Sequence, residues 1–258
     1  MKNTVLISGP TSGIGFELAR LFSENGFNLI LVGRNKEKLE KISKELENER
    51  CKCEIVVADL SDPKIHKKIF EQTKNHEVEI LVNNAGFGLY GEFLETDLEK
   101  ELEMIQVNIV ALTTLTKLFL PQMIKRKRGK VLNVASTAAF QPGPLMAVYY
   151  ATKAYVLHFS EAISEELNGS GVSVTALCPG PTESGFQREA NMDSSMEVLQ
   201  KRNLMDAKSV AKIGYSALMK NKVIEVAGFR NKITSEIVRF APRSVVRKIV
   251  KRIQMKQK

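Results

Sequence analysis

Val5-Leu6-Ile7-Ser8-Gly9-Pro10-Thr11-Ser12-Gly13-Ile14-Gly15-Phe16 is the stretch that decides the fold. A short β-forming run, Val5–Ser8, feeds a glycine-rich turn, and the turn opens a helix-like segment, Phe16–Glu24. A strand that must bend sharply into a helix needs residues without a Cβ in the way. The new helix N-terminus then offers free N–H groups and the positive end of its dipole, which suits a pyrophosphate. Gly9, Gly13 and Gly15 follow a G-x-x-x-G-x-G spacing, looser than the common dinucleotide fingerprint. An ordinary βα turn can share that spacing, so the flanking strand and helix carry the nucleotide reading.

Further along the chain, β-rich runs recur between amphipathic stretches. Candidate strands are Asn28–Val32, Cys53–Ala58, Glu79–Val82, Lys130–Ala135, Ser173–Leu177 and Val223–Val226. Most are nearly continuous apolar runs, as expected of strands buried on both faces. Between them, Ser61-Asp62-Pro63 forms a helix opening before Lys64–Lys74, with a cap residue ahead of a proline. Glu37–Glu49 is charged except at Leu39, Ile42 and Leu46, the spacing of a surface helix. The alternation predicts one α/β domain over residues 1–229, a Rossmann-like, doubly wound, parallel seven-stranded sheet with helices on both faces.

The second strand ends in Val32-Gly33-Arg34. A cofactor with a free ribose 2′-hydroxyl usually meets an acid at this place. Glycine followed by a guanidinium instead favours a 2′-phosphate, hence NADP over NAD. Asp59, after the third strand, is a candidate partner for the adenine amino group, though an Asp-Leu-Ser start is also common turn chemistry.

Tyr149 and Lys153 stand one helical turn apart, a spacing that says little alone. Ser136 closes a candidate strand thirteen residues earlier, Asn108 lies in a helix-like stretch, and Asn83-Asn84-Ala85-Gly86 closes the fourth strand. With these in place, the chain from Val5 to about Gly228 resembles the short-chain dehydrogenase/reductase family. The resemblance implies a cofactor turn over Gly9, Ser12, Gly13, Ile14 and Gly15, and further cofactor contacts from Asn84, Ala85 and Gly86. It puts the family's catalytic tetrad on Asn108, Ser136, Tyr149 and Lys153, with Tyr149 and Lys153 also touching cofactor. Pro179, Gly180 and Thr182 match its nicotinamide segment. Ser12 stands where some NADP-using members carry a basic residue, so the NADP expectation rests on Arg34.

A free phenol titrates near 10 and is a poor acid at neutral pH; a nearby ammonium is expected to lower it. Tyr149 would then give a proton to a carbonyl oxygen as hydride reaches the carbon. By the same resemblance Ser136 would bond that oxygen and Asn108 hold a water relaying protons to Lys153. Tyr150, one residue out of register, is expected to serve packing. The loops Phe87–Tyr90 and Phe140–Met146, with a lid-like Glu183–Leu199, would surround the substrate; the first two carry no arginine for a carboxylate. An apolar ketone, aldehyde, acyl chain or the matching alcohol is therefore expected. The alternatives are an NAD-linked alcohol dehydrogenase of the same fold and a catalytically silent dinucleotide-binding scaffold.

Composition bounds the rest. The 258 residues are 43% hydrophobic, enough for a core. No apolar run reaches the eighteen or so residues of a membrane span, and the N-terminal run is short for a signal peptide. Three cysteines, an odd number, argue for a reducing, cytoplasmic setting. Cys51-Lys52-Cys53 has no third ligand nearby and His66, His76 and His158 are scattered, so no metal is expected. Family members are commonly dimers or tetramers, which makes a homo-oligomer the expectation.

The formal charge of +9 is entirely in residues 230–258, where ten basic residues face one acid, Glu236. The remaining residues hold 28 basic and 28 acidic side chains, which disfavours nucleic acid as a partner. Lys125-Arg126-Lys127-Arg128 reads as a solvated connection. At about 100° per residue, Val245, Val246, Ile249, Val250 and Ile253 fall on one side and the arginines and lysines on the other. This basic amphipathic helix would pack on the body or a sister subunit, or contact a membrane surface peripherally, with nucleic acid a weaker third choice.

Overall fold

The structure is a computed structural model, described here for residues 3–183 and 204–255; most of the lid-like segment lies outside them. Seven parallel strands form one sheet: β1 (Thr4–Ser8), β2 (Asn28–Gly33), β3 (Cys53–Val57), β4 (Val78–Asn83), β5 (Gly129–Val134), β6 (Val172–Cys178) and β7 (Ile224–Val226). Their order across the sheet is β3-β2-β1-β4-β5-β6-β7. Each expected strand is present, with bounds shifted by one residue at most ends.

The helices are α1 (Gly13–Glu24), α2 (Lys36–Leu46), α3 (Pro63–Thr73), α4 (Leu98–Ile105), α5 (Leu112–Lys125), α6 (Ala147–Glu166) and α7 (Ala207–Met219), then α8 (Phe229–Phe240) and α9 (Arg243–Met255). On one face of the sheet Leu18 and Phe22 of α1, Leu39 of α2 and Val210 of α7 share a core with Val5, Ile7, Leu29 and Leu31. On the other, Ile69 of α3 and Leu115 and Phe119 of α5 pack on Leu6, Ile30, Leu81 and Val131. Burying a side chain such as Phe22 or Phe119 contributes about 1.5–3 kcal/mol. The alternating faces explain the apolar runs of the central strands, β1, β2 and β4 to β6, which are covered on both sides.

Leu98–Lys125 forms an unbroken helical run whose length and apolar composition would suffice to cross a bilayer. Several of its apolar side chains serve the core: Met104, Ala111, Leu115, Phe119 and Met123 are fully buried, whereas Leu98, Leu102 and Ile124 are exposed. In the middle of the run, Gln106–Ala111 widens to a π-helix, a feature often found at functional sites.

The order reverses between β1 and β4, which lie side by side in the sheet. Loops leaving their carboxyl ends diverge to opposite faces and open the crevice where such sheets bind ligands. A ladder of buried amides stiffens this edge. Asn83 Nδ2 donates to Thr116 Oγ1 of α5 (3.0 Å) and to Asn133 Oδ1 of β5 (2.9 Å). Asn133 Nδ2 donates to Ser160 Oγ of α6 at 2.9 Å. Each bond satisfies a group that would otherwise be costly to bury, and together they fix α6 against β4 and β5.

Candidate active site

A cavity of about 770 Å³ fills the crevice and is lined by residues from the carboxyl edge of β1, β2, β4, β5 and β6. Gly9, with φ of +66°, turns the chain out of β1. A Cβ on Gly15 would lie 2.2 Å from the Gly9 carbonyl and 2.4 Å from Asn84 Nδ2, so no side chain fits there. Asn84 Nδ2 donates to the carbonyls of Ser8 (3.1 Å) and Gly9 (2.8 Å), while the amides of Asn84 and Ala85 donate to Ser8 Oγ. The N-N-A-G segment thus braces the glycine turn directly. Ser12 is the N-cap of α1 but makes no side-chain capping bond, leaving the cap function to whatever acceptor meets the helix end. This cradle fits a dinucleotide pyrophosphate.

At the other end of the cavity lie Gly33, Arg34, Asn35, Lys38 and Asp59. Arg34 is exposed and its Nη1 is 3.1 Å from Glu103 Oε1. Burial alone would raise the Asp59 carboxyl. Bonds from the Ser61 amide and hydroxyl, with the charges of Arg34 and Lys100, outweigh it and hold the carboxyl below its usual value. Lys38 escaped the sequence reading. It lies in the first turn of α2, four residues after Arg34, and its nearness to the end of β2 was the available signal.

Ser136, Tyr149 and Lys153 converge on the cavity. Ser136 begins a 3-10 turn, accepts from the Ala138 amide at 3.1 Å, and shares a hydrogen bond with the Tyr149 side chain. Lys153 is buried and its Nζ donates to the Val134 carbonyl at 2.8 Å, 5.9 Å from the Tyr149 ring centre. Burial lowers the Lys153 ammonium to about 8, partly offset by Cys178. The expected lowering of Tyr149 is reversed. Burial pushes the phenol above its ordinary value, the Ser136 bond only partly opposes it, and Tyr150 adds to the rise. Desolvation, which disfavours the charged phenolate, is the dominant effect.

Asn108 sits in the π-helix, and its side chain is fully engaged. Its Oδ1 accepts from the Phe87 amide (3.1 Å), and its Nδ2 donates to the Phe87 carbonyl and to Thr152 Oγ1 (both 3.0 Å). It ties the loop after β4 to α6. Pro179, Gly180 and Thr182 line the cavity after β6; Thr182 Oγ1 donates to the Gly180 carbonyl at 2.9 Å.

The sequence profile of the short chain dehydrogenase family matches residues 3–195. The chain belongs to the short-chain dehydrogenase/reductase family. It is 36% identical over 178 residues to human "Inactive hydroxysteroid dehydrogenase-like protein 1", covering 67% of this chain and 54% of that protein. It is 34% identical over 179 residues to human "Very-long-chain 3-oxoacyl-CoA reductase", covering 67% and 57%. The chain thus spans a little over half the length of these curated relatives. Among solved structures, a short-chain dehydrogenase from Sphingobium yanoikuyae in complex with NADPH superposes with a TM-score of 0.82, 29% identity and 88% of each chain covered.

Two parts of this short-chain dehydrogenase site differ from expectation or were missed. Tyr150 does more than pack: it lines the cavity and its Oη accepts from Gln254 Nε2 of α9 at 2.7 Å. Its ring lies where a Cβ on Gly143 would fall, 2.2 Å away. Tyr90 Oη donates to the Gln254 carbonyl at 3.1 Å, and Ile253 and Gln254 both line the cavity. Upstream, Asn231 of α8 packs on Gly180, its Nδ2 2.4 Å from where a Cβ would stand. The basic tail therefore builds one wall of the site. Away from it, Arg128 pairs with Glu79 and Arg126 Nη2 donates to the Val78 carbonyl, so two residues of the Lys125–Arg128 run are structural.

Proposed function

We propose that the protein is an NADP-dependent carbonyl reductase acting on an apolar ketone, aldehyde or acyl substrate, reversibly with the secondary alcohol. The observation that carries the reading is the convergence of Ser136, Tyr149 and Lys153 beside a glycine cradle that fits a dinucleotide. Gly9, Gly13, Ile14 and Gly15 would hold the pyrophosphate, with Asn84, Ala85 and Gly86 behind them. Arg34 and Lys38 would meet the 2′-phosphate, Asp59 the adenine, and Pro179, Gly180 and Thr182 the nicotinamide end. When bound, the nicotinamide supplies or takes up the hydride.

The remaining chemistry belongs to side chains of this chain. Tyr149 would give its proton to a carbonyl oxygen; burial opposes the phenolate that this leaves, and the Lys153 ammonium would offset part of that cost. Ser136 would hydrogen-bond the same oxygen as negative charge develops there. Lys153 keeps a positive charge beside this pair below about pH 8. Asn108 positions the Phe87 loop and α6, and so the distance between substrate and Tyr149. Phe87, Met146 and Ile253 give the cavity apolar surface, which favours an apolar substrate.

Mixing the protein with NADPH and a panel of apolar carbonyls should give loss of NADPH absorbance. Binding without turnover across a broad panel would favour a silent scaffold, a reading prompted by the relative named as inactive. Arg34→Ala should weaken NADPH by roughly 10–100-fold while sparing NADH. Equal losses, measured by fluorescence titration, would contradict that role of Arg34, and tighter binding of NADH than NADPH by the parent protein would support NAD use. Because the Lys153 value is depressed, its charge is present below about pH 8 and disappears above it. The kcat/KM for reduction should therefore be level near neutrality and fall as pH rises through that value. A profile level into the ordinary lysine range near 10 would contradict the role of that charge.

A further inference from the structure

Helix α8 is built inside out. Phe229, Ile233, Ile237 and Phe240, spaced along one helical face, are all exposed, Phe229 by 79% and Phe240 by 87%. The side chain it buries is a small polar one, Ser235, whose Oγ donates to the Lys232 carbonyl at 2.8 Å. Helix α9 divides its apolar face in two. Val246, Val250 and Gln254 point into the protein, whereas Val245, Ile249 and Ile253 remain about half exposed. With Met255, eight large apolar side chains on two consecutive helices are thus left in water, which soluble surfaces normally avoid in clusters.

Charge selects the occupant. Between Arg230 and Arg252 lie eight basic residues and one acid, Glu236, for a net +7. Among the described residues only Arg239 of these eight has an acidic partner, the same Glu236 one turn away. A second copy of this face would set +7 against +7, so pairing of this face with itself is disfavoured. Nucleic acid would answer the charge but leave the phenylalanines and isoleucines in water. A surface that is negative outside and apolar just beneath answers both.

We propose that α8 and α9 dock the protein on an anionic lipid surface. The exposed apolar stripes enter the interface and the surrounding arginines and lysines meet the headgroups. The docked face includes the helix whose last turn, through Ile253 and Gln254, lines the cavity. An apolar substrate dissolved in the lipid would then reach the site without crossing bulk water. That last step rests on the proposed apolar substrate; docking does not, and the two are measured separately.

The full chain should co-sediment with vesicles of phosphatidylcholine mixed about two to one with phosphatidylglycerol, and stay in the supernatant with phosphatidylcholine alone. Raising the ionic strength should release it, a test that needs no substitution. Phe240→Asp with Ile249→Asp, and separately Lys248→Glu with Lys251→Glu, should each lower the bound fraction by roughly tenfold or more. All four positions are exposed, so melting temperatures should match the parent and show that the variants fold. No binding of the parent chain to anionic vesicles, or parent-like binding by both variants, overturns the proposal. So does sedimentation velocity showing that the aspartate variant dissociates a multimer, because the face would then join copies of the chain.

Discussion

Tyr149→Phe is expected to lose roughly 10²–10⁴-fold in kcat for carbonyl reduction while binding NADPH within about twofold of the parent protein. The substitution removes one oxygen and keeps the ring. The Tyr149 ring meets Tyr150 edge-on with centroids 6.0 Å apart, a contact phenylalanine retains. Ser136 Oγ keeps its bond from the Ala138 amide, so losing the phenol does not orphan it. The buried Lys153 ammonium keeps its bond to the Val134 carbonyl. Fold and cofactor affinity should survive, and only the proton donor is lost. Single-turnover kinetics against a fluorescence titration separates these effects, and unchanged turnover would sink the assignment of Tyr149 as the acid.

Gly15→Ala tests the other half of the site. Its methyl would stand 2.2 Å from the Gly9 carbonyl and 2.4 Å from Asn84 Nδ2. Both neighbours are held, because Asn84 Nδ2 is bonded to that carbonyl and to the Ser8 carbonyl. Relief requires the turn or the Asn84 segment to shift, at about 1–3 kcal/mol. If binding restores the original turn, the same energy weakens NADPH by roughly 10–100-fold, with a lower melting temperature in the absence of cofactor. Parent-like NADPH affinity would mean that the pyrophosphate is not cradled there.

What the sequence made legible is what short-range chemistry determines. Strands buried on two faces are written as apolar runs, and the glycine turn is written in its missing side chains. Tyr149 and Lys153 are one turn apart on one helix, so their proximity needed no tertiary information. The failures share the opposite property. Tyr150 and Gln254 meet across 104 positions of sequence, and nothing local to either residue announces the contact. The direction of the Tyr149 shift depends on burial, which the folded environment sets. The π-helix around Asn108 has no sequence mark, yet it occurs where that amide joins the Phe87 loop to α6. Periodicity drew one apolar face on α9, and packing divided it between the body and the outside.

Gln254 and Ile253 belong to the last helix, beyond residues 3–195 that carry the family match. The proton donor and glycine cradle sit within the matched region, whereas this wall of the cavity comes from outside it. Part of the chamber's lining is thereby placed on a stretch of the gene separable from the proposed catalytic residues. Recombination that exchanged only the closing segment would present the same hydride chemistry with a differently shaped chamber. For laboratory evolution of substrate range, the thirty codons after Gly228 are an economical library.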